Sequence, residues 1–311
     1  MRALVAAPGL PGDVALRDLV EPEPGPNEAV VQVHASSLNR GECTALRSAS
    51  DGWRPGWDVA GVIDRPASDG SSLEAGTRVV GWSNGGGWAD HVAVRSDHLA
   101  PIPGQVSFEV ASTLPVAGLT AVGALAFGGR LDGRRVAITG AAGGVGRFAV
   151  QLAHTEGAHV TAVVGSPERG EGLPELGADH VAWPALEPEG DPMDLILESV
   201  GGSSLAAALT RVSADGTVVS FGNSSNEHTS FDARGFYRRG GPTMRGYLVT
   251  HELLEGRLGT EQLAGLVELV VTGRLRTDLD LVVPWTEAAT AIQALIARRV
   301  RGKAVLVIGS G

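Results

Sequence analysis

The chain has 311 residues, of which 43% are hydrophobic and 19% are charged, and its formal net charge is −10. The length fits two domains, and the acidic balance leaves no basic surface of the kind that binds nucleic acid. No stretch approaches the ~18 consecutive apolar residues of a membrane-spanning helix, and Pro8 and Gly9 interrupt the apolar N-terminus before a signal peptide could form. We therefore expect a cytoplasmic protein without a membrane partner that acts on a small molecule.

The first third of the chain reads as a β domain. Short β-type segments alternate there with clusters of proline, glycine and aspartate. After a first strand and turn at the N-terminus, they are Ala29–His34, Val59–Asp64, Thr77–Trp82 and Ala89–Val94. This pattern predicts a small, barrel-like β domain that ends near Pro103.

From about Ser107 the pattern changes to helices and then to strands that alternate with helices. The predicted helices are Phe108–Leu114, Leu119–Ala126, Gly144–Glu156, Thr260–Thr272 and Thr286–Arg298. The predicted strands are Arg135–Thr139, His159–Val164, His180–Trp183, Leu195–Ser199, Thr217–Phe221 and Ala304–Ile308. Strands that alternate with helices indicate a parallel sheet with both faces covered.

A glycine-rich turn joins the strand Arg135–Thr139 to the helix that follows it. Its residues are Gly140, Ala141, Ala142, Gly143, Gly144, Val145 and Gly146. Glycines allow a tight turn and let backbone N–H groups approach a pyrophosphate at the positive end of a helix. The strand before the turn and the helix after it strengthen the glycine spacing, so we expect a bound dinucleotide here.

The end of the next strand favours NADPH over NADH. An acidic residue at this position would hydrogen-bond the ribose 2′-hydroxyl of NADH, whereas the chain has Gly165 there, followed by Ser166 and Arg169. A hydroxyl and a guanidinium suit a 2′-phosphate. The alternative is that Glu168 takes the acidic role and Arg169 is a solvated loop residue.

The order of these parts resembles the medium-chain dehydrogenase/reductase superfamily, within it the zinc-free quinone oxidoreductase and enoyl reductase branch. Besides the glycine-rich turn, the similar segments are Met1–Leu4, Glu23–Val33, Ser37–Glu42, Gly56–Val62, Leu114–Ala121, Leu176–His180, Ser220–Ser225 and Gly302–Leu306. The resemblance implies an α/β fold, with a GroES-like β-rich catalytic domain at 1–115, a Rossmann-type parallel-sheet domain that binds NADPH at 116–248, and a C-terminal return at 249–311. It also implies a homodimer formed through edge strands of the nucleotide domain.

Relatives in this superfamily that are alcohol dehydrogenases carry a catalytic zinc on an early cysteine and on a histidine that precedes an acid. The corresponding positions here hold Asn39 and Trp57, with Asp58 in the acid position, and neither Asn39 nor Trp57 is a competent zinc ligand in such a site. Cys43, the single cysteine, is displaced from the ligand position and is expected to be a small packed side chain. We therefore expect no metal, and a hydride transfer to an activated carbon–carbon double bond or a quinone.

Two residues are candidates for catalysis. The resemblance places Asn39 near the nicotinamide, where its amide could hydrogen-bond a developing oxyanion, although a turn-forming asparagine is the alternative. Tyr247 is a candidate proton donor, against a packing role for this tyrosine or protonation by solvent.

Further residues are expected at the cofactor by resemblance to the fold. Thr120 is predicted at a helix start that faces the cofactor, with an ordinary helix hydroxyl as the alternative. Those at the ends of two later strands are Ser199, Val200, Gly201, Phe221, Gly222, Asn223 and Ser224. Lys303 begins the last strand and is expected to be a solvated lysine, with an approach to the cofactor's phosphate as the alternative. Trp53 and Trp57 either line a pocket or pack in the core.

Two other functions remain open at this point. One is a biosynthetic enoyl reductase or cyclisation enzyme that acts on a carrier-bound or polyketide-like substrate. A basic cluster that suits a carrier protein is formed by Arg234, Arg238, Arg239 and Arg245. The other is a protein that binds NADPH without turnover.

Overall fold

The computed structural model describes residues 1–187 and 189–309. The strands are β1 (Arg2–Ala6), β2 (Val14–Asp18), β3 (Glu28–Ser37), β4 (Asp58–Arg65), β5 (Arg78–Trp82), β6 (His91–Arg95), β7 (Leu99–Pro101), β8 (Arg135–Thr139), β9 (His159–Val163), β10 (His180–Ala182), β11 (Met193–Glu198), β12 (Val212–Ser220), β13 (Thr243–Gly246), β14 (Leu279–Pro284) and β15 (Lys303–Val307). The helices are α1 (Arg40–Ala45), α2 (Phe108–Ser112), α3 (Pro115–Ala126), α4 (Gly144–Thr155), α5 (Gly202–Arg211), α6 (Ala233–Tyr237), α7 (Val249–Leu254), α8 (Thr260–Val271) and α9 (Ala288–Ile296).

The chain forms two compact units. The first contains Met1–Leu119 and Thr250–Gly311, and the second contains Thr120–Val249. The chain thus leaves the first unit, builds the second and returns. Among the helices of the described residues, none is long and apolar enough to cross a membrane.

The first unit is built on a seven-stranded, mostly antiparallel sheet. Its strands follow the order β14-β15-β3-β4-β5-β7, and β6 pairs with β3. Apolar side chains fill the core behind it, among them Trp88 and Trp285, which have no exposed surface, and Cys43, which is 1% exposed. The prediction that Cys43 is a packed side chain is therefore confirmed.

The second unit is a six-stranded parallel sheet of order β10-β9-β8-β11-β12-β13. The central strand β8 is a short apolar run, and Val136, Ala137 and Ile138 in it have no exposed surface. Parallel strands are buried on both faces, which is why this sequence reads as continuous apolar residues rather than as an alternation. The predicted α/β fold, with a GroES-like unit and a Rossmann-type unit, is confirmed.

Sequence patterns missed several short elements. The strands β2, β7, β13 and β14 and the helices α1, α5, α6 and α7 were not predicted. β7 has only three residues, and all four residues of β13 are exposed at the edge of the sheet, so neither shows the apolar alternation on which a strand prediction depends. α5 begins at Gly202 with two serines after it, which are weak helix formers.

Gly61 is a position where two strands require glycine. It lies on β4 opposite Val33 of β3, and a Cβ there would overlap with the carbonyl oxygen of Gln32. Glycine therefore permits this pairing, because any side chain would force the two strands apart.

We expect Gly61→Ala to lower the free energy of unfolding by about 3 kcal/mol, near the upper end for a residue forced into a packed site. The matched control is Gly265→Ala on α8, where a Cβ meets nothing within 4 Å and where alanine should add about 0.5–1 kcal/mol through helix propensity. Urea denaturation of both variants measures the difference. Equal effects of the two changes would show that the β3–β4 approach is not tight.

Candidate functional site

The strand order of the second unit reverses between β8 and β11. The chain runs outward from β8 to β9 and β10 on one side, and from β11 to β12 and β13 on the other. In open parallel sheets, ligands bind outside the carboxyl ends of the strands at this reversal point. The loops after Thr139 and Glu198 therefore begin the candidate site.

The glycine-rich turn after β8 has a geometry that side chains would block. Gly140 has φ +61°, and a Cβ on Gly146 would lie 2.5 Å from the Cα of Ala141. The N–H of Ala141 donates to the carbonyl of Val163 (3.1 Å), which ties the turn to the end of β9, and Gly143 precedes the first residue of α4. These features fit a dinucleotide pyrophosphate, since the backbone is exposed to close approach and the helix presents its positive end.

The loops after β11 and β12 lie directly against each other. The N–H of Phe221 donates to the carbonyl of Glu198 (2.9 Å), and the N–H of Ser224 donates to the carbonyl of Ser199 (3.1 Å). A Cβ on Gly222 would lie only 2.9 Å from the carbonyl oxygen of Ser199. The structure thus brings together the two strand ends that the sequence placed at the cofactor.

Asn223 and Gly201 complete this contact. Gly201 has φ +78°, and a Cβ there would overlap with the Oδ1 of Asn223. Val200 lies between Ser199 and Gly201 in the same loop, and its carbonyl accepts a hydrogen bond from the N–H of Ser225 (2.8 Å).

Glu198, a buried acid at the end of β11, was not among the residues predicted at the site. Its carboxyl group accepts hydrogen bonds from the hydroxyl of Thr139 (3.2 Å) and from the N–H groups of Val200 (3.0 Å) and Gly201 (3.1 Å). Thr139 in turn accepts from the N–H of Ser199 (2.9 Å). Glu198 has no exposed surface, so it fixes the loop after β11 and joins it to β8. An acid within an otherwise apolar strand was the available signal.

The turn after β9 holds the residues predicted to select the cofactor. Gly165 is exposed with open space around it, and Ser166 and Arg169 are half-buried. The N–H of Arg169 donates to the carbonyl of Ser166 (3.1 Å). A hydrogen bond from the side chain of Ser166 lowers the pKa of the exposed Glu168, so a carboxylate, a hydroxyl and a guanidinium share one short turn.

Two other predicted residues lie on or beside α3. Thr120 is the sixth residue of this helix rather than at its start, and it is 5% exposed. The Tyr247 ring packs edge-on against Phe127, with 5.7 Å between ring centroids, and its hydroxyl oxygen is buried where a Cβ on Gly123 would overlap with it. This enclosed position favours packing over proton donation by Tyr247.

The first unit contains a buried polar cluster around Asn39, which we call the Asn39 cluster: Asn39, Glu42, Asp58 and Lys303. Asn39 precedes α1, Glu42 lies within α1, Asp58 starts β4 and Lys303 starts β15. Glu42 and Asp58 have no exposed surface, and Lys303 is 4% exposed. Helix α1 and the starts of two strands, from distant parts of the sequence, therefore place two acids and one cation in the interior.

The side-chain amide of Asn39 is fully engaged inside this cluster. Its Nδ2 donates to Oε1 of Glu42 (3.2 Å) and to Oδ2 of Asp58 (2.8 Å), and its Oδ1 accepts from Nζ of Lys303 (2.8 Å). An amide nitrogen carries two hydrogens, and both are used. The role predicted for Asn39, donation to an oxyanion, would require breaking one of these bonds, so the geometry favours a role in organising the cluster.

Lys303 corrects a prediction, because the expected solvated lysine is buried. Its Nζ also donates to the carbonyl of Leu38 (3.1 Å) and lies 3.4 Å from Oδ2 of Asp58. One signal was present in the sequence: Lys303 is the only lysine in a chain with 25 lysine and arginine residues. A compact ammonium fits a site of this size where a guanidinium would not.

The acids of the cluster differ in environment. Burial, followed by the charge of Asp58, raises the pKa of Glu42 to about 8. The Glu42 oxygens also accept from three backbone N–H groups, those of Asn39 (2.8 Å), Gly56 (3.0 Å) and Trp57 (3.0 Å). Asp58 accepts from the hydroxyl of Ser37 (2.5 Å) and the N–H of Val116 (2.8 Å). Of the two acids, Asp58 is the one that forms an ion pair with Lys303, at 3.4 Å between Oδ2 and Nζ.

A zinc ion does not fit the Asn39 cluster. The Lys303 ammonium already occupies the space between the amide oxygen and the carboxylate, and a second cation there would be repelled. Trp57 supplies no metal ligand. Within residues 1–187 and 189–309, no group of three or more histidine, cysteine, aspartate and glutamate side chains is arranged to hold a metal.

Comparisons with known proteins agree with this architecture. The family described as "Alcohol dehydrogenase GroES-like domain" matches residues 25–104, and the one described as "Zinc-binding dehydrogenase" matches residues 176–306. The chain is 31% identical to a probable zinc-binding oxidoreductase, mitochondrial, of Arthroderma benhamiae, over 92% of this chain and 91% of the relative. The chain belongs to the medium-chain dehydrogenase/reductase superfamily.

Two further similarities are to a quinone oxidoreductase and to a solved structure. It is 29% identical to a quinone oxidoreductase of Pseudomonas aeruginosa, over 98% of this chain and 99% of the relative. A mycobacterial protein complexed with NADPH has the same fold, with a TM-score of 0.89 at 23% identity, over 99% of this chain and 100% of that chain. The predicted membership of the zinc-free quinone oxidoreductase and enoyl reductase branch is confirmed.

We expect loss of the Lys303 charge to destabilise the protein by about 3–5 kcal/mol, because Asp58 would be left as an unpaired buried charge. Lys303→Met tests this, and Lys303→Arg should also destabilise, since the larger guanidinium does not fit. The control is Arg299→Lys at an exposed position, which should change the free energy of unfolding by less than about 0.5 kcal/mol. The double variant Asp58→Asn with Lys303→Met should recover part of the free energy of unfolding that Lys303→Met loses, as chemical denaturation measures. No recovery would contradict the pairing of Lys303 with Asp58.

Glu198→Gln replaces one acceptor oxygen by an amide that faces N–H donors. The expected loss is about 1–3 kcal/mol of unfolding free energy, because buried donors in the loop after β11 lose their partner. Glu175→Gln, at an exposed position, is the matched control and should have little effect. Chemical denaturation measures both, and an unchanged stability of Glu198→Gln would show that the carboxyl group does not hold this loop.

Proposed function

We propose that this chain is a zinc-independent, NADPH-dependent oxidoreductase that transfers a hydride to an activated carbon–carbon double bond, in an enone or enoyl thioester, or to a quinone. The observation that carries the proposal is the Lys303 ammonium in the Asn39 cluster, at the place where the resemblance puts the zinc of alcohol dehydrogenases. Without a Lewis acid, an alcohol has no partner that polarises its oxygen. Reduction of a conjugated double bond or of a quinone is therefore favoured over oxidation of an alcohol.

The cofactor would be held by the loops at the reversal point of the second unit. The glycine-rich turn from Gly140 to Gly146 and the first turn of α4 would receive the pyrophosphate, and the paired loops Ser199–Gly201 and Phe221–Ser224 would contact ribose and nicotinamide. When bound, NADPH supplies the hydride. The proposal is supported by the space that glycine leaves in the turn and by the NADPH complex of a protein with the same fold.

Preference for NADPH would be decided by the turn after β9. Ser166 and Arg169 suit the 2′-phosphate by hydrogen bonding and charge, while Glu168 in the same turn opposes it. The hydroxyl of Ser166 bonds Glu168 in the structure. We infer that Arg169 and Ser166 outweigh Glu168, because the tip of the strand itself is Gly165 and carries no acid.

The surroundings of Asn39 and Tyr247 favour structural roles for both residues over the predicted catalytic ones. Both amide hydrogens of Asn39 are engaged by Glu42 and Asp58, and the Tyr247 hydroxyl is buried beside Gly123. We propose that Asn39 keeps the cluster rigid, that Tyr247 packs against α3, and that water provides the proton that completes the reduction. An enolate or a hydroquinone anion takes a proton from water without a placed acid.

We expect turnover of NADPH with a quinone or an enone that is insensitive to a metal chelator. Loss of absorbance at 340 nm measures it with NADPH and with NADH. Turnover of simple alcohols or ketones that a chelator abolishes would contradict the zinc-free assignment, and tight NADPH binding without turnover of any acceptor would contradict catalysis.

Substitutions of Arg169 and of Glu168, both in the turn after β9, should shift the preference between NADPH and NADH in opposite directions. Arg169→Ala should raise the KM for NADPH roughly tenfold or more with little effect on NADH, because a hydrogen bond to a charged group is lost. Glu168→Gln should lower the KM for NADPH. The control is Arg130→Ala, which removes an exposed arginine that pairs with Asp132. Equal changes with both cofactors would show that the turn does not contact the 2′-phosphate.

A further inference from the structure

The loop before β4, residues 53–57, is held in place by backbone hydrogen bonds on two sides. Glu42 accepts from the N–H groups of Gly56 and Trp57 (3.0 Å each). From the other side, the N–H of Gly86 donates to the carbonyls of Arg54 (3.1 Å) and Pro55 (3.0 Å), and the N–H of Gly87 donates to the carbonyl of Gly56 (2.9 Å). The backbone on which Arg54 and Trp57 stand is therefore fixed.

The Arg54 guanidinium lies flat against the neighbouring glycine loop. A Cβ on Gly86 would lie 3.1 Å from Nη2 and 3.3 Å from Cζ of Arg54. Gly85 and Gly86 have φ +119° and +82°, conformations that other residues rarely adopt. The glycine loop thus gives the guanidinium a surface that side chains would otherwise occupy.

Arg54 has no anionic partner in the described part of the chain. Its Nε is buried without a hydrogen-bond acceptor, and none of its nitrogens forms an ion pair there. Burial alone lowers its pKa. Some other arginines of this unit do have such partners, as in the pairs Arg17–Asp51 (2.7 Å) and Arg95–Asp97 (2.5 Å).

An unpaired, partly desolvated cation is unfavourable, and the chain keeps one on a rigid loop. A guanidinium offers several donors in one plane and is suited to bind an oxyanion group through two of them. The energetics therefore favour an anion that comes from outside the chain.

Trp57 adds a flat apolar surface to the same loop. Its indole lies on α1, where a Cβ on Gly41 would be 2.9 Å from Cη2, and the residue remains partly exposed. A half-exposed indole on a fixed loop can stack on a planar ligand. Arg54 and Trp57, three positions apart on the same hydrogen-bonded loop, thus offer one charged and one aromatic side chain.

We propose that Arg54 and Trp57 form a substrate-recognition site, in which Arg54 binds an oxyanion group of the acceptor substrate and Trp57 packs against its planar part. The site selects quinones or conjugated carbonyl compounds that carry a sulfonate, carboxylate or phosphate. This inference rests on the proposed function for the reaction, but binding of an anion by Arg54 requires no turnover and can be measured by itself.

The test compares charged and neutral acceptors in two variants. Arg54→Gln removes the proposed contact, and Arg47→Gln removes an equal charge from an exposed position nearby on the chain. One substrate pair is 1,4-naphthoquinone and its 2-sulfonate; the other is crotonyl-coenzyme A, which carries phosphates, and crotonyl-N-acetylcysteamine, which carries none. Each is assayed with NADPH and the 311-residue chain.

We expect Arg54→Gln to raise KM for one of the two charged substrates by roughly ten- to a hundredfold, the usual loss for a charge-assisted hydrogen bond. Its KM for the neutral partner should change less than about twofold, and Arg47→Gln should leave all four values within about twofold. If only the KM for the sulfonate rises, the site is suited to a small anionic quinone. If only the KM for the coenzyme A thioester rises, the site is suited to a phosphate-bearing substrate. Equal shifts for charged and neutral substrates, or no shift, would overturn the proposal.

Direct binding separates this proposal from the proposed function. Quenching of tryptophan fluorescence by 1,4-naphthoquinone-2-sulfonate and by coenzyme A gives dissociation constants that need no turnover. If the protein oxidises no NADPH but Arg54→Gln still weakens binding of either anion at least tenfold, the reaction assignment fails and the anion site stands. Unchanged dissociation constants in Arg54→Gln would remove the anion site, whatever the activity.

Discussion

Three buried acids hold backbone segments that are distant in sequence, and the two candidate sites depend on them. Glu42, Asp58 and Glu198 have no exposed surface, and each accepts hydrogen bonds from backbone N–H groups. A buried carboxyl group must be satisfied on nearly all its lone pairs, so each acid constrains the position of the N–H groups that donate to it. In one unit this fixes the loop before β4, and in the other it fixes the loop after β11.

The glycines complement these acids. The acids hold loops by hydrogen bonds. Where backbone segments approach closely, they leave no space for a Cβ, as at Gly146 and Gly222. A ligand can then approach bare backbone that hydrogen bonds already hold in place, which is how a binding site is organised before its ligand arrives. Rigidity here comes from polar groups inside the molecule rather than from apolar packing alone.

Much of this architecture is predictable from the sequence, because it rests on local patterns. The strand before Gly140 and the helix after Gly146 are set by apolar runs around a glycine turn, and the structure has β8 at Arg135–Thr139 and α4 from Gly144 as predicted. The edge strand β13 was missed, because its exposed residues carry no such pattern. Local sequence patterns thus predict elements that have a buried face, and they do not predict exposed edge strands.

The polar interior was harder to predict, because it is assembled by long-range contacts. Lys303 meets Asn39 across 264 positions, and nothing near either residue in the sequence indicates the other. The hydrogen-bonding capacity of Asn39 was clear from its side chain, but its use was decided by Glu42 and Asp58. Glu198 shows the same limit, since an acid in an apolar strand indicates burial without naming its partners.

The burial of Lys303 also determines how the folded protein reacts with amine-directed chemistry. It is the only lysine in the sequence and is 4% exposed, so the native fold presents no lysine ammonium to solvent. Acylating reagents, lysine crosslinkers and enzymes that acetylate or ubiquitinate lysine reach this side chain only when the Asn39 cluster opens. The rate at which Lys303 becomes labelled is therefore a built-in measure of how often the first unit unfolds around its polar interior.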